Sequence, residues 1–250
     1  MIYAFCHLAV IPVRAEHSDP SEIVTQMLFG EKCIILEEYN QWRKIQLKHD
    51  GYEGWVDEKQ LLIIPMEDFN DDAGEYFVSE QNIQLEGPKG ILNILRGSIL
   101  YLASDSKNFK IGKYNFSLIK DSLGKFESVE AVAKSYLNAP YLWGGRNPFG
   151  IDCSGFTQLV FRFFNFELKR DASQQVHQGE VLSFDRIKPN DLVFFENAKG
   201  KIHHVGIYLG NDEIIHAHGC VRIDNLSLSG ITSTDTGKLP HSFHGIRRVL

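Results

Sequence analysis

Cys153 stands in Asp152-Cys153-Ser154-Gly155, just ahead of Phe156, Leu159, Val160 and Phe163, apolar positions that recur at helical spacing. Asp152 is a natural N-cap, so the pattern predicts that Cys153 lies on the first turn of a buried helix. The exposed N–H groups and positive dipole end of such a turn favour a thiolate, the form of cysteine that attacks carbonyl carbon. Further on, His203-His204-Val205-Gly206-Ile207-Tyr208-Leu209-Gly210 alternates as a strand. Val205, Ile207 and Leu209 share one face, and His204, Gly206 and Tyr208 the other. A turn at Gly210-Asn211-Asp212 leads into a returning strand, Glu213-Ile214-Ile215-His216-Ala217, so His204 and His216 come close to being cross-strand neighbours. A thiol, an imidazole to take its proton and a third polar group to orient the imidazole make up a nucleophilic acyl-transfer site.

Two questions stay open at the level of residues. An inward-pointing carboxylate at Asp152 would raise the thiol pKa, so Asp152 is expected to turn away, to cap the helix or to hold a cation. His203, His204, His216 and His218 compete for the role of base; strict alternation puts His203 and His204 on opposite faces, so only one of them can meet Cys153. The other cysteines read differently. Cys6 and Cys33 sit in strand-like apolar surroundings and read as core, while Cys220, after Gly219, is undecided. No C-x-x-C pair occurs, and the histidines lack carboxylate or cysteine companions at ligand spacing, so neither a metal, a cofactor nor a disulfide framework is expected.

The elements that must position these groups fall in the second half of the chain. From Ser128 the apolar period changes from two to 3.6: Val129, Val132, Ala133, Tyr136 and Leu137 form one helical face, capped by Ser128 and followed by Pro140. That change marks a domain boundary near 123–127. Before it, residues 1–65 read as short strands punctuated by Asp19-Pro20, Phe29-Gly30, Tyr39-Asn40 and Asp50-Gly51, the pattern of a small β-barrel. Residues 66–74, acidic and without strand periodicity, read as a linker. Short strands return over 75–122, with turns at Gly87-Pro88, Arg96-Gly97 and Ser104–Ser106, and suggest a second, diverged SH3-like barrel.

Two resemblances sharpen this outline. Val13-Arg14, Ile23-Val24-Thr25-Gln26, Gly30-Glu31, Trp42-Arg43-Lys44-Ile45 and Gly51-Tyr52-Glu53-Gly54-Trp55-Val56 together resemble a bacterial SH3 (SH3b) domain, with Trp42 and Trp55 as core or groove-wall aromatics. Residues 125–250 resemble the NlpC/P60 family of papain-like peptidases. The motifs are Pro140-Tyr141-Leu142-Trp143-Gly144-Gly145, Asp152-Cys153-Ser154-Gly155, Arg170-Asp171-Ala172-Ser173-Gln174-Gln175, Asp191-Leu192-Val193-Phe194-Phe195, His204 to Gly210 and Ile215-His216-Ala217. The fold class implied is α+β, a papain-like catalytic domain preceded by one or two small SH3-like β-barrels.

The resemblance implies roles. Cys153 attacks, His204 is the general base, His216 orients the imidazole, the Cys153 N–H helps bind the oxyanion and Tyr141 lines the site. Family members cleave amide bonds of bacterial cell-wall peptides. Those with SH3b domains resemble γ-D-glutamyl-L-diamino acid endopeptidases, including ones that require a free N-terminal L-Ala, in which the SH3b domain closes one end of the cleft. By that likeness Asp152, with Glu16 and Tyr52 of the first domain, would bind the substrate's ammonium group, and Ser154, Arg170, Asp171 and Ser173 are further pocket candidates. Ala172 departs from the family at a spot where a hydroxyl residue is common, which blurs that part of the pocket. The expected partners are murein peptides such as L-Ala-γ-D-Glu-L-diamino acid, met during wall recycling.

Bulk properties exclude other classes. A net charge of −6 with no basic stripe argues against nucleic acid. No stretch approaches the roughly 18–20 apolar residues of a membrane span. The N-terminal residues lack a basic, then apolar, leader pattern, which together with free thiols leads to a cytoplasmic expectation. Two rivals remain: a related Cys/His amidase or acyltransferase, and a non-catalytic wall-peptide-binding module.

Overall fold

Runs of β-branched and aromatic residues, several of them separated by a glycine or asparagine at positive φ, build most of the molecule as antiparallel sheet. The computed structural model describes residues 1–78, 80, 82–102, 106–119, 124–238 and 241–250. The start of the expected 104–106 turn, the end of the 75–122 segment and the start of the 123–127 boundary lie outside the described residues. The chain divides into two compact units, residues 1–125 with 146–148, and residues 126–145 with 149–250.

In the first unit, β1 (Ile2–Cys6), β2 (Val10–Arg14), β3 (Ile23–Leu28), β4 (Lys32–Tyr39), β5 (Trp42–Leu47), β6 (Glu53–Asp57) and β7 (Leu61–Ile64) form one antiparallel sheet. Its order is β3-β2-β6-β5-β4-β1-β7, the strand set of an SH3-like barrel. Gly51, at φ 74°, closes the β5–β6 hairpin. Ala4, Cys6, Ile11, Val13, Met27, Cys33, Ile45 and Val56 fill the interior, and Trp42 and Trp55 are buried. The acidic stretch expected as a linker contains helix α1 (Met66–Asn70), whose Phe69 is buried with its ring centroid 4.6 Å from that of Tyr3. Acidic composition hid that single apolar anchor.

The rest of the unit is β8 (Glu75–Phe77), β9 (Asn82–Gly87), β10 (Gly90–Leu95), β11 (Ile99–Tyr101), β12 (Asn108–Ile111) and β13 (Tyr114–Leu118), in sheets ordered β10-β9-β13-β12 and β11-β8. Ile83, Leu85, Ile94, Leu100, Phe109 and Phe116 share one apolar cluster with Phe5 of β1 and with Phe29, which directly follows β3. The two strand-rich segments therefore make one unit. Strand β14 (Arg146–Asn147) also belongs to it. Arg146 is fully buried there, with Nη1 and Nη2 each 3.0 Å from a Glu31 carboxylate oxygen and its N–H donating to Gln26.

The second unit begins with α2 (Val129–Lys134), whose N-cap Ser128 accepts from the Ala131 N–H. Val129, Val132, Ala133 and Tyr136 are buried as the helical pattern requires, but Leu137 lies past the helix end and is exposed. After β15 (Gly150–Ile151) come α3 (Cys153–Arg162) and α4 (Ala172–Gln175). The sheet comprises β16 (Glu180–Leu182), β17 (Leu192–Glu196), β18 (Ile202–Gly210), β19 (Glu213–His218), β20 (Cys220–Ser227), β21 (Gly230–Thr232) and β22 (His241–Arg248). Its order is β16-β22-β17-β18-β19-β20-β21, and a further β21–β22 pairing closes six of these strands on themselves. Val193, Phe195, Tyr208, Ile214, Leu226, Ile231 and Ile246 pack together as its core. Every residue of α3 is buried, and the helix packs on β18 and β19.

Candidate active site

Asp152 fixes the start of α3. Its Oδ1 accepts from the Gly155 N–H at 2.7 Å, the bond of an N-cap. The same carboxylate is held from two other sides: Gly144 N–H donates to Oδ2 at 2.9 Å, and Arg170 donates through Nη1 to Oδ1 at 3.0 Å and through Nη2 to Oδ2 at 2.5 Å. Arg170 also donates to Ser154 Oγ at 3.0 Å. Asp152 thus both caps a helix and holds a cation, and all three side chains are buried. Arg170 and Ser154, expected to line the pocket, both hydrogen-bond to Asp152. A buried carboxylate needs such a cation.

Cys153 occupies the first helical position with only 5% of its surface exposed. Its thiol lies 4.0 Å from the His203 carbonyl oxygen, and the Val205 and Ser154 N–H groups also act on the sulfur. The sulfur is therefore set against the backbone that flanks His204. Burial pushes the thiol pKa up to about 12, and the Asp152 charge adds to that rise; Val205 N–H, Arg170 and Ser154 N–H oppose it without winning. Desolvation outweighs the helix terminus here, and the free protein holds a neutral thiol.

The imidazoles are organised by β18, β19 and β20. Asn211 and Asp212, both at positive φ (52° and 60°), form the tight turn that joins β18 to β19. Gly206 stands opposite His216, so His204 reaches His216 diagonally, with Nε2 2.8 Å from His216 Nδ1. His216 Nε2 lies 3.0 Å from Asp224 Oδ2. Asp224 is itself held by Arg222 Nη2 at 2.8 Å and by the N–H and hydroxyl of Thr234, each at 2.9 Å. Burial would raise the Asp224 pKa, but the hydrogen bonds from His216, Thr234 and Arg222 hold it below the usual carboxylate range.

This line fixes the tautomers. An ionised carboxylate only accepts, so His216 donates from Nε2 and accepts at Nδ1. His204 then donates from Nε2, which leaves its Nδ1 as a lone pair. Burial, and after it the neighbouring His216, His241, His218 and His203, lower the His204 pKa well below the ordinary value, and burial also lowers that of His216. A neutral imidazole with a lone pair at Nδ1, on the residue whose flanking backbone meets the Cys153 sulfur, is equipped to act as a general base.

Alternation misplaces His203. A bulge shifts the β17–β18 register between Phe195 and Glu196, and an extra residue in a strand breaks the two-residue period. His203 Nε2 consequently lies 3.0 Å from His241 Nδ1, and the His241 ring stacks on His204 with centroids 4.0 Å apart and planes 8° from parallel. Asp224 and His241 escaped the reading of the sequence. Asp224 left a signal, an acid at an inward position between Val221 and Leu226, where a charge needs partners. His241 left none, since it comes from β22.

The remaining expected residues lie on other elements. Tyr141 is 37% exposed and bridges Ile151; burial, then the charges of Cys153 and Asp152, raise its hydroxyl pKa. Asp171 caps α4 through a capping box with Gln174, and Ser173 is exposed on that helix. Glu16 and Tyr52 belong to the first unit: Glu16 is exposed with its N–H donating to Ser21 Oγ, and Tyr52 packs against the barrel core with its N–H donating to Asp50.

An SH3-like barrel in one unit and, in the other, a helix-borne thiol set on a histidine-bearing sheet define an α+β peptidase. Residues 138–239 match the NlpC/P60 family, and residues 13–61 match the bacterial dipeptidyl-peptidase Sh3 domain. The chain is 31% identical over 217 residues to the gamma-D-glutamyl-L-lysine dipeptidyl-peptidase of Bacillus subtilis strain 168, an alignment covering 78% of this chain and 72% of the relative. The protein belongs to the NlpC/P60 family. It is also 27% identical over 241 residues to dipeptidyl-peptidase 6 of Lysinibacillus sphaericus, covering 81% of this chain and 83% of that one. A crystal structure of an NlpC/P60 family protein from Bacillus cereus ATCC 10987 superposes over 99% of both chains with a TM-score of 0.81 at 21% identity, which establishes the shared fold.

Proposed function

We propose that the protein is a cysteine endopeptidase that hydrolyses the γ-D-Glu–L-diamino acid bond of murein peptides bearing a free N-terminal L-Ala. The observation that carries this reading is the Asp224–His216–His204 line ending beside Cys153 at the start of α3. His204 Nδ1 takes the thiol proton as Sγ attacks the γ-carbonyl carbon, and the Cys153 N–H steadies the oxyanion. The proton passes to the departing amine of the diamino acid, leaving a thioester. Water, deprotonated by the same imidazole, then releases L-Ala-D-Glu and restores the thiol. The name of the Bacillus subtilis relative, a gamma-D-glutamyl-L-lysine dipeptidyl-peptidase, supports the choice of bond.

By the family likeness, Glu16, Tyr52 and Asp152 are each proposed as contacts for the substrate's ammonium group. Glu16→Ala or Tyr52→Phe raises KM for free-L-Ala peptides, and an unchanged KM in both removes them from the site. Four free thiols fit a reducing compartment, and the proposed role is recycling of wall peptides in the cytoplasm; cell fractionation that finds the protein only outside it overturns that placement.

Mass spectrometry of L-Ala-γ-D-Glu-L-Lys and its diaminopimelate analogue, incubated with wild type and with Cys153→Ala, tests the reaction. Release of L-Ala-D-Glu by the wild type alone supports it. Release of a whole stem peptide from a muramoyl-linked substrate identifies an amidase instead, and retention on wall fragments without turnover identifies a binding module.

A further inference from the structure

Five imidazoles, from His203, His204, His216, His218 and His241, form one connected cluster in the second unit. Chain spacing offers no ligand set, because β22 contributes His241 while β18 and β19 contribute the others. In space, one ring nitrogen from each of His204, His216 and His241 lies within 4.8 Å of the other two, and all three residues are buried. We propose that these three imidazoles bind a divalent transition-metal ion of the zinc class, and that occupancy switches the peptidase off.

Three neutral imidazoles with a water as fourth ligand form a recurrent tetrahedral zinc site. Zn–N bonds of about 2.0–2.1 Å set ligand nitrogens roughly 3.4 Å apart, so the nitrogens must draw together, and the His241 ring must turn out of its stack on His204 to aim a lone pair at the ion. The supporting shell is already built. His216 turns one nitrogen toward His204 and the other toward Asp224, itself fixed by Arg222 and Thr234. A carboxylate that orients a metal-binding histidine in this way raises its basicity and holds its ring in place. His241 contacts His203 through Nδ1 and His218 through Nε2, at 3.2 Å for the latter. One of those contacts is exchanged for the metal bond. His203 and His218 are exposed and offer an arriving ion its first ligands.

Inhibition follows from proton accounting, and that half of the inference rests on His204 being the base; binding does not. The ion enters where His204 Nε2 and His216 Nδ1 now share a proton. His204 gives up its Nε2 proton and carries one on Nδ1 instead, so the ring stays neutral and no proton leaves it. The Nδ1 lone pair that would accept the Cys153 proton is gone.

The test loads chelator-treated protein with Zn2+ and measures bound metal per chain after desalting, alongside the visible spectrum of a Co2+-loaded sample. The expected result is one ion per chain in wild type and in Cys153→Ala, and at least about tenfold weaker binding in His241→Phe, checked for folding by circular dichroism. Loss of the ion in Cys153→Ala with retention in His241→Phe overturns the inference, since the site would then be a thiolate–imidazole pair. X-ray absorption of the wild-type zinc protein decides the matter even if the His241 variant does not fold: a sulfur-free nitrogen and oxygen shell with imidazole scattering supports three imidazoles and a water, and a Zn–S distance near about 2.3 Å refutes them. Absence of any tight binding by wild type refutes them too. Because metal content is read without substrate, failure of the peptidase assay leaves this outcome separately readable.

Discussion

Gly206 faces His216 across the β18–β19 pair, and the absent side chain is what opens the diagonal along which His204 reaches His216. A Cβ at position 206 would lie 2.8 Å from Ile214 Cδ1 and 3.0 Å from His216 Cβ. Gly206→Ala therefore pushes His216 away from its partner. The expected cost is about 1–3 kcal/mol of stability from overpacking, with kcat falling about tenfold or more as the base loses its orientation. Urea unfolding and steady-state kinetics check the two effects, and wild-type kcat in a destabilised variant would show that the diagonal is structural only.

Asp224 acts on His204 through His216, so its removal should change kcat far more than KM. Asp224→Asn keeps the shape but sets an amide NH2 against one of the donors that now bind the carboxylate, Arg222 and Thr234 on Oδ1 or His216 on Oδ2. The His216 ring then loses its fixed tautomer, and kcat should drop about ten- to hundredfold. A change confined to KM would place Asp224 in substrate recognition instead.

Much of this was legible in the sequence, for identifiable reasons. Helix period around Phe156 and Leu159, the capping acid at 152 and the Asn-Asp turn each act over a few residues, so they locate α3 and the His204–His216 hairpin without tertiary information. What the sequence hid depends on contacts between distant segments. The β-bulge that brings His203 into the cluster arises from pairing with β17, and His241 arrives from β22. Burial of Cys153 is likewise a tertiary fact: a helix N-terminus alone argues for a thiolate, while the enclosed sulfur is neutral. The short helix at 66–70 was masked by acidic neighbours.

The histidine cluster should make stability sensitive to acid. Burial lowers the pKa of His204 and His216, and burial followed by the surrounding histidines lowers that of His241 to about 3. An unfolded histidine titrates near about 6.5, so between that value and the folded ones the unfolded chain binds more protons, and stability rises with pH. The contribution is complete above the unfolded value and is lost as pH falls through the folded values. With a chelator present, urea midpoints measured from pH 7.5 to 4.5 should fall, and His241→Phe should show a shallower fall. Equal slopes would remove His241 from the set of titrating groups.

Arg170 offers the sharpest separation of charge from packing. Its guanidinium is the only cation hydrogen-bonded to Asp152 among the described residues, and both side chains are buried. Arg170→Met strands a buried carboxylate beside Cys153, which should cost about 3–5 kcal/mol. It also removes one of the influences that lower the Cys153 pKa while leaving Asp152, which raises it, so alkylation of Cys153 by iodoacetamide should need a higher pH. Asp152→Asn combined with Arg170→Met removes both charges and keeps an amide able to cap α3, and should recover most of the stability and the alkylation profile. Recovery of stability without recovery of the profile would mean that Arg170 acts on the sulfur directly. Recovery of neither would mean that the pair matters for its hydrogen-bond geometry to Gly144, Ser154 and Gly155, with its charge secondary.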